Sequence, residues 1–206
     1  MEDETGSVFG EQHRRDVLKK IGIGGAVAWT APVVGTFAVK AAAASGGPQP
    51  PVIRNLSVNP TNNPAGPTAT MSSQYIYNDP GCSGANLGND GNTNQNWQFA
   101  CTTGNLINSI FHTDTGPGEW WQVDLKATYT ITSITVYNRL DNGADVRAQS
   151  LSVTFDGGSS TPIPGTTGNW SVATLTLGSP IAAQVIRVTN GTNNYFHLAE
   201  VQVFGY

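Results

Sequence analysis

Beyond residue 44, no stretch of this chain keeps a helical apolar repeat over ten residues of good helix formers. Instead, short runs alternate apolar and polar side chains: VIRNLSV, TATMSSQYIY, EWWQVDL, TSITVYN, SLSVTFD, VATLTL, AQVIRVTN and HLAEVQVF. A two-residue period sends neighbouring side chains to opposite faces, so each run reads as a half-buried strand. Asn-Asp-Pro, Asn-Asp-Gly, Asp-Gly-Gly and Asn-Gly separate them, and these are turn formers. Eight or so short strands in one domain predict an all-β fold, a single β-sandwich or jelly roll.

The first 44 residues read differently. Arg14-Arg15-Asp16-Val17-Leu18-Lys19 is a basic region, followed by the weakly apolar IGIGGAVAWTAPVVGTFAV and by Ala41 to Ala44. That order is the order of a secretory signal. RRDVLK is similar to a twin-arginine export signal, with Val17 where Phe is usual. The same run is long enough, at about 20 residues, to serve as a membrane anchor. Its glycines, Pro32 and the Ala-x-Ala ending favour cleavage. The expected organisation is therefore a signal peptide over 1–44, a Pro/Gly-rich linker over 45–54 and one domain over 55–206. A secreted protein with no membrane span after cleavage follows.

Charge narrows the partners. The leader carries equal numbers of acidic and basic residues, so the mature part keeps the chain's formal charge of −4. Lys126 is its one lysine. Nucleic acid and anionic membranes are excluded as partners, because both need clustered Lys and Arg. Cys82 and Cys101 are the chain's cysteines. In an exported protein they predict a disulfide, closing a loop worth roughly 3 kcal/mol in the chain-entropy model; a pair of buried thiols is the alternative. Neither cysteine has a His or Cys at zinc spacing.

The stretch with the most chemistry runs from His112 to Arg147. In WWQVDL, Trp121, Val123 and Leu125 share one face; in ITSITVYNR, Ile134 and Val136 do. At the margins stand His112, Arg139, Asp141 and Arg147. Guanidinium groups donate hydrogen bonds in a fixed fork, and neutral imidazole offers one donor and one acceptor. That set suits a neutral polyhydroxylated ligand, with Asp141 holding an arginine. The residues alone also allow a plain surface ion pair worth about 0–1 kcal/mol beside a loop histidine. Tyr75, Trp97, Phe99 and Tyr195 are candidates to stack on a sugar, whereas Trp120, Trp121 and His197 read as packing residues.

His112, twenty-six intervening residues, Arg139, one residue and Asp141 together resemble the fucose-binding signature of the F-type lectins (fucolectins). WWQVDL and AEVQVFG are similar to the wider superfamily with coagulation-factor C-type (discoidin) modules. The resemblance covers roughly Asn55 to Tyr206 and implies a galactose-binding-like β-jelly roll. It also implies a sugar site at His112, Arg139, Asp141 and Arg147. The family's second basic position falls on Val146, with Arg147 one step later, so the loop here has one extra residue. Asn142 and Gly143 stand where relatives often carry adjacent cysteines. The resemblance further implies one structural calcium, held by the Leu87 carbonyl, Asp90, Asn92, Ser109, the Ala199 carbonyl and Glu200. Without it, NLGNDGNTNQNW is a Gly-rich turn with hard oxygens.

The function expected is a secreted, calcium-stabilised lectin for fucose or a related sugar, without enzymatic activity. Its affinity would come from repetition of weak sites on an oligomer or on a polyvalent glycan. A discoidin-like adhesion module, binding a protein, a cell-wall polymer or another glycan, is the alternative. A small secreted hydrolase is remote, since neither GxSxG nor HExxH occurs. Mass spectrometry of exported protein should find an N-terminus near Ser45; an intact Met1 terminus in the cytoplasmic fraction would overturn the export reading.

Overall fold

The computed structural model describes residues 49–75, 83–97 and 109–206. The leader, Phe99 and both cysteines, with the disulfide expected of them, lie outside the described residues. Eight strands are present: β1 (Arg54–Asn55), β2 (Thr68–Met71), β3 (Phe111–Pro117), β4 (Trp120–Asn138), β5 (Ser152–Phe155), β6 (Thr161–Pro162), β7 (Val172–Thr189) and β8 (Asn193–Gly205). All described pairings are antiparallel. The main path runs β1-β8-β4-β7-β5-β6, with β2 also on β4 and β3 also on β8. The fold is the all-β sandwich that the alternation predicts. Among the described residues no helix is long and apolar enough to cross a membrane.

The strand boundaries differ from the sequence reading in three ways. EWWQVDL and TSITVYN are one strand, β4, and VATLTL and AQVIRVTN are one strand, β7. Their register breaks between Asp124/Tyr129, where Lys126 adopts a left-handed φ of 68°. The Asp124 carboxylate accepts the Lys126 N–H at 2.8 Å, which compensates the strain locally. Secondly, FHTDTGP, which has no clean alternation, is strand β3, and its pairing with β8 supplies the order that its sequence lacks. Thirdly, Arg54, assigned to the linker, already pairs with Gly205.

The alternation holds where it was read. Trp121, Val123 and Leu125 are buried, as are Ile134 and Val136 on the far half of β4. With Phe196, Leu198, Val201 and Val203 of β8, and Ile186 and Val188 of β7, they form one apolar cluster between the layers. Trp120 points outward, and Arg187 stacks on it at 4.1 Å.

Gly88 ends the 3-10 turn at Ala85–Gly88 and sits against this core. A Cβ there would lie 2.6 Å from Trp121 Nε1 and 2.7 Å from Phe111 Cδ1. Gly88→Ala should therefore destabilise the fold by about 1–3 kcal/mol, the usual cost of overpacking. Urea unfolding measures it, and an unchanged midpoint would contradict the packing described.

Candidate functional site

Strand β8 brings the distant parts of the sequence together. Leu198 is the register partner of Phe111 on β3 and of Asn138 on β4. The start of β3 and the end of β4 therefore flank β8 at one rung. His112 follows Phe111, and Arg139 follows Asn138, so both arrive at the same end of the sandwich. The sequence suggests a chain going out on one strand and returning on the next. In the structure β3 and β4 instead run in the same direction along β8, and the shared rung makes the meeting.

His112 is fixed by its backbone, donating from its N–H to the Ser83 carbonyl and accepting from the Tyr75 N–H. Its Nδ1 lies 2.7 Å from the Thr113 carbonyl. A carbonyl only accepts, so Nδ1 carries the proton, and Nε2 of the neutral ring is an acceptor. Burial, with the repulsion of Arg139 and Arg147, holds the imidazole down at about 4 against the bonding at Thr113. The ring stays neutral across the physiological range. Around it stand Tyr75 at 4.8 Å, His197 at 5.0 Å, Tyr195 at 5.2 Å and Trp97 at 5.4 Å.

The two arginines differ. Arg139 is only 6% exposed. Its Nε and Nη2 donate to the two Asp141 oxygens at 2.8 and 2.9 Å, in a bidentate fork. Its guanidinium lies over Trp97 at 4.9 Å, and the Trp97 N–H donates to Asp141 at 2.9 Å. Burial would raise the Asp141 carboxyl, but the Arg139 fork and the Trp97 N–H outweigh it and keep it lowered. The sequence suggests that Arg139 is an exposed side chain contributing little to the fold. That expectation is corrected here, because the loop carrying Trp97 closes over the end of β4.

Arg147 follows the 3-10 segment Asp141–Val146, in which Asn142 and Gly143 both take left-handed φ, 54° and 63°. This tight left-handed turn accommodates the extra loop residue. Val146 points to solvent, 49% exposed. The Arg147 guanidinium stands 5.6 Å over the Tyr195 ring, close enough for its charge to act on His112. Its backbone is pinned, its carbonyl accepting from Thr192 Oγ1 at 3.1 Å and Asn190 Nδ2 at 3.3 Å. Among the described residues no carboxylate pairs with Arg147. His112, Arg139 and Arg147 are therefore gathered, with Asp141 bracing Arg139 alone.

A second polar group lies further along β8. Glu200 is fully buried, and its Oε1 has no hydrogen-bond partner; Oε2 accepts the Gly91 N–H at 3.3 Å. Burial and the neighbouring Asp90 push this carboxyl up to about 9, and burial raises Asp90 as well. Two such carboxyls side by side fit a cation. Asp90 begins a ladder in which Asn92, Asn94 and Asn96 N–H groups each bond the Asx side chain two residues back. Ser109 Oγ donates to the Asn94 carbonyl at 2.7 Å. The ladder ends at Asn96, and Trp97 follows it, so the loop carrying Asp90 also forms a wall around His112. Among the described residues no group of three or more His, Cys, Asp or Glu could hold a metal, so carbonyl, amide and hydroxyl oxygens would have to complete a shell around the two carboxylates.

The sequence predicts a packed strand-end residue at His197, and it is wholly buried, but both ring nitrogens lack partners among the described residues. Leaving a buried polar group unbonded costs about 1–3 kcal/mol. Its place under His112 depends on inter-strand register, which no local signal in the sequence reveals.

The F5/8 type C domain pattern matches residues 68–201. The chain belongs to the F5/8 type C domain family. This F5/8 type C domain is 31% identical over 99 residues to Fucolectin-6 of Anguilla japonica, covering 46% of this chain and 53% of that protein. It thus spans about half the length of that relative. It is 28% identical over 142 residues to Fucolectin of Anguilla anguilla, covering 66% of this chain and 85% of that one. Among solved structures, it is similar to a fucolectin from Morone saxatilis serum, with TM-score 0.58 and 25% identity over 75% of this chain and 50% of that one. A Streptococcus pneumoniae fucose binding module gives TM-score 0.56 and 26% identity over 74% and 96%.

The His112 environment gives this F5/8 type C domain a pH dependence. The folded ring stays neutral down to about 4 while the unfolded ring protonates near 6.5. The stability contributed by the neutral ring is complete above pH 6.5 and is lost as pH falls through about 4. Melting temperatures of wild type and His112→Gln across that window measure it. The wild type should lose more on acidification, and parallel curves would contradict the buried, neutral ring.

Proposed function

We propose that the mature chain is a secreted, calcium-stabilised lectin for L-fucose or a related sugar. The observation that carries the reading is one imidazole acceptor, His112 Nε2, set among two guanidinium donors and aromatic rings. A sugar hydroxyl both donates and accepts, so it can give its proton to Nε2 while taking one from an arginine. Arg139, held by Asp141, retains further N–H groups for a ring or hydroxyl oxygen. Arg147 has its fork unused by any described carboxylate. Trp97, Tyr75 and Tyr195 offer apolar surface to the faces of the ring. The names of the relatives, fucolectins and a fucose binding module, support the sugar class.

Nothing in this arrangement calls for bond cleavage. Asp141 is committed to Arg139, and Glu200 is enclosed in the core beneath the loop of Asp90 and Gly91. Calcium fits the second of these. Leu87 and Ala199 carbonyls, Asp90, Asn92, Ser109 and Glu200 would hold the ion. Its role is to neutralise the buried Glu200 and the half-buried Asp90 and to fix the loop that leads to Trp97.

A discoidin-like adhesion module is the second reading. Leu140 and Val146, 40% and 49% exposed, sit on the loop that carries Asp141. Apolar tips beside the pocket would suit a larger partner than one sugar.

Titration calorimetry with L-fucose separates the readings. Wild type should bind, and Arg147→Ala should bind about tenfold to a hundredfold more weakly, for the loss of one charge-assisted donor worth about 1.5–3 kcal/mol. Arg139→Ala is a poor probe, because it strands Asp141 and should cost stability on the order of 3 kcal/mol. No fucose binding by wild type, with binding to another surface that is lost in Leu140→Ser, would leave the adhesion reading in place.

Calcium should raise the melting temperature of protein first stripped by chelator, since the ion binds the folded loop and not the unfolded chain. The rise should be larger at pH 8 than at pH 6, because calcium must displace a proton from Glu200. Coincident melting curves with and without calcium would overturn the metal assignment.

A further inference from the structure

The floor beneath His112 does work that the lectin reading does not yet assign. Backbone bonds from Ser83 and Tyr75 fix the His112 main chain on both sides. The Nδ1–H bond to Thr113 holds one edge of the ring, and the ring face needs a neighbour if Nε2 is to keep its direction toward a ligand. Tyr75, Trp97 and Tyr195 surround the ring, but each keeps some exposure and belongs to the mouth of the pocket. His197 is different. It is the register partner of His112 across β3 and β8, its exposure is zero, and its ring lies 5.0 Å from the His112 ring, tilted by 44°.

We infer that His197 is a positioning residue of the sugar pocket, holding the His112 ring so that Nε2 faces the open side between the two guanidinium groups. The inference rests on the lectin reading and adds a residue to it. A side chain chosen only to fill the core at this point would be leucine or phenylalanine, which leave no polar atom unbonded. Histidine keeps two unpartnered nitrogens in a fully buried place. Among the described residues the other side chain with such an unpartnered atom is Glu200, three positions along the same strand. Stability forgone at one residue under a binding group is the mark of a position held by function. A five-membered ring is also compact. It packs tilted against the His112 ring and opposes rotation, while Thr113 holds Nδ1 from the side.

The test compares wild type, His197→Leu and His197→Phe in the exported protein. Three quantities are measured: L-fucose affinity, melting temperature and the His112 Nδ1–H resonance in the free protein. The expected result is roughly tenfold weaker binding in the leucine variant at a melting temperature equal to or above wild type. The Nδ1–H resonance, sharp in wild type, should broaden as the ring gains freedom. The phenylalanine variant guards against a cavity effect, since it fills the space yet should also lose affinity. Wild-type affinity and an unchanged resonance in His197→Leu would overturn the inference. So would an affinity that falls only in step with melting temperature in both variants. If wild type binds no fucose, the lectin reading fails by itself. The resonance still decides: broadening supports His197 as the residue that holds His112, and no change overturns it.

Discussion

A β-strand has two edges, and β8 uses both of them at the same residue. Leu198 is flanked by Phe111 and by Asn138, and His112, Arg139, His197 and Glu200 all stand within two residues of that rung. His112 and Arg139 follow the two flanking residues. His197 and Glu200 lie to either side of Leu198 on β8 itself, one against His112 and one against the loop of Asp90. The rung sits in the apolar core, with Phe111 and Leu198 both buried. The positions of the polar groups are therefore set by hydrophobic packing and by a ladder of backbone bonds, not by the polar groups themselves.

Given that frame, the few charges divide their roles. Arg139 is spent largely on structure: its fork on Asp141 and its place over Trp97 close the end of β4. Arg147 is held by its backbone and leaves its fork available. His112 sits between them, and their charge helps keep it neutral, which turns Nε2 into an acceptor. A site with two cationic donors and one neutral acceptor recognises hydroxyl groups without needing a negative charge on the ligand. Glu200 and Asp90 behave differently: burial raises both carboxyls, Asp90 adding to the rise at Glu200, and the Asx ladder runs from Asp90 to Asn96, next to Trp97 in the wall around His112.

Much of this was legible in the sequence. The alternation in WWQVDL and SITVYN gave the buried face of β4 correctly, and the spacing of His112, Arg139 and Asp141 marked three residues that the structure gathers. What stayed hidden had physical reasons. β3 lacks alternation because Thr113 and His112 are buried polar residues, and its strand character comes from β8. The continuity of β4 and β7 depends on Lys126 accepting a left-handed backbone, which no pattern announces for a lysine. The burial of Arg139 depends on a loop more than forty residues earlier. The role of His197 depends on register, which is a property of two strands and not of either sequence alone.

In the proposed site, one end of this sandwich presents His112, Arg139 and Arg147 to a single sugar ring. A crystal structure of the protein grown with L-fucose and calcium tests it most directly. The account predicts one fucose against Trp97, Tyr75 and Tyr195, with one hydroxyl donating to His112 Nε2 and oxygens accepting from both guanidinium groups. A fucose bound elsewhere on the domain, with these three side chains free of it, would contradict the account.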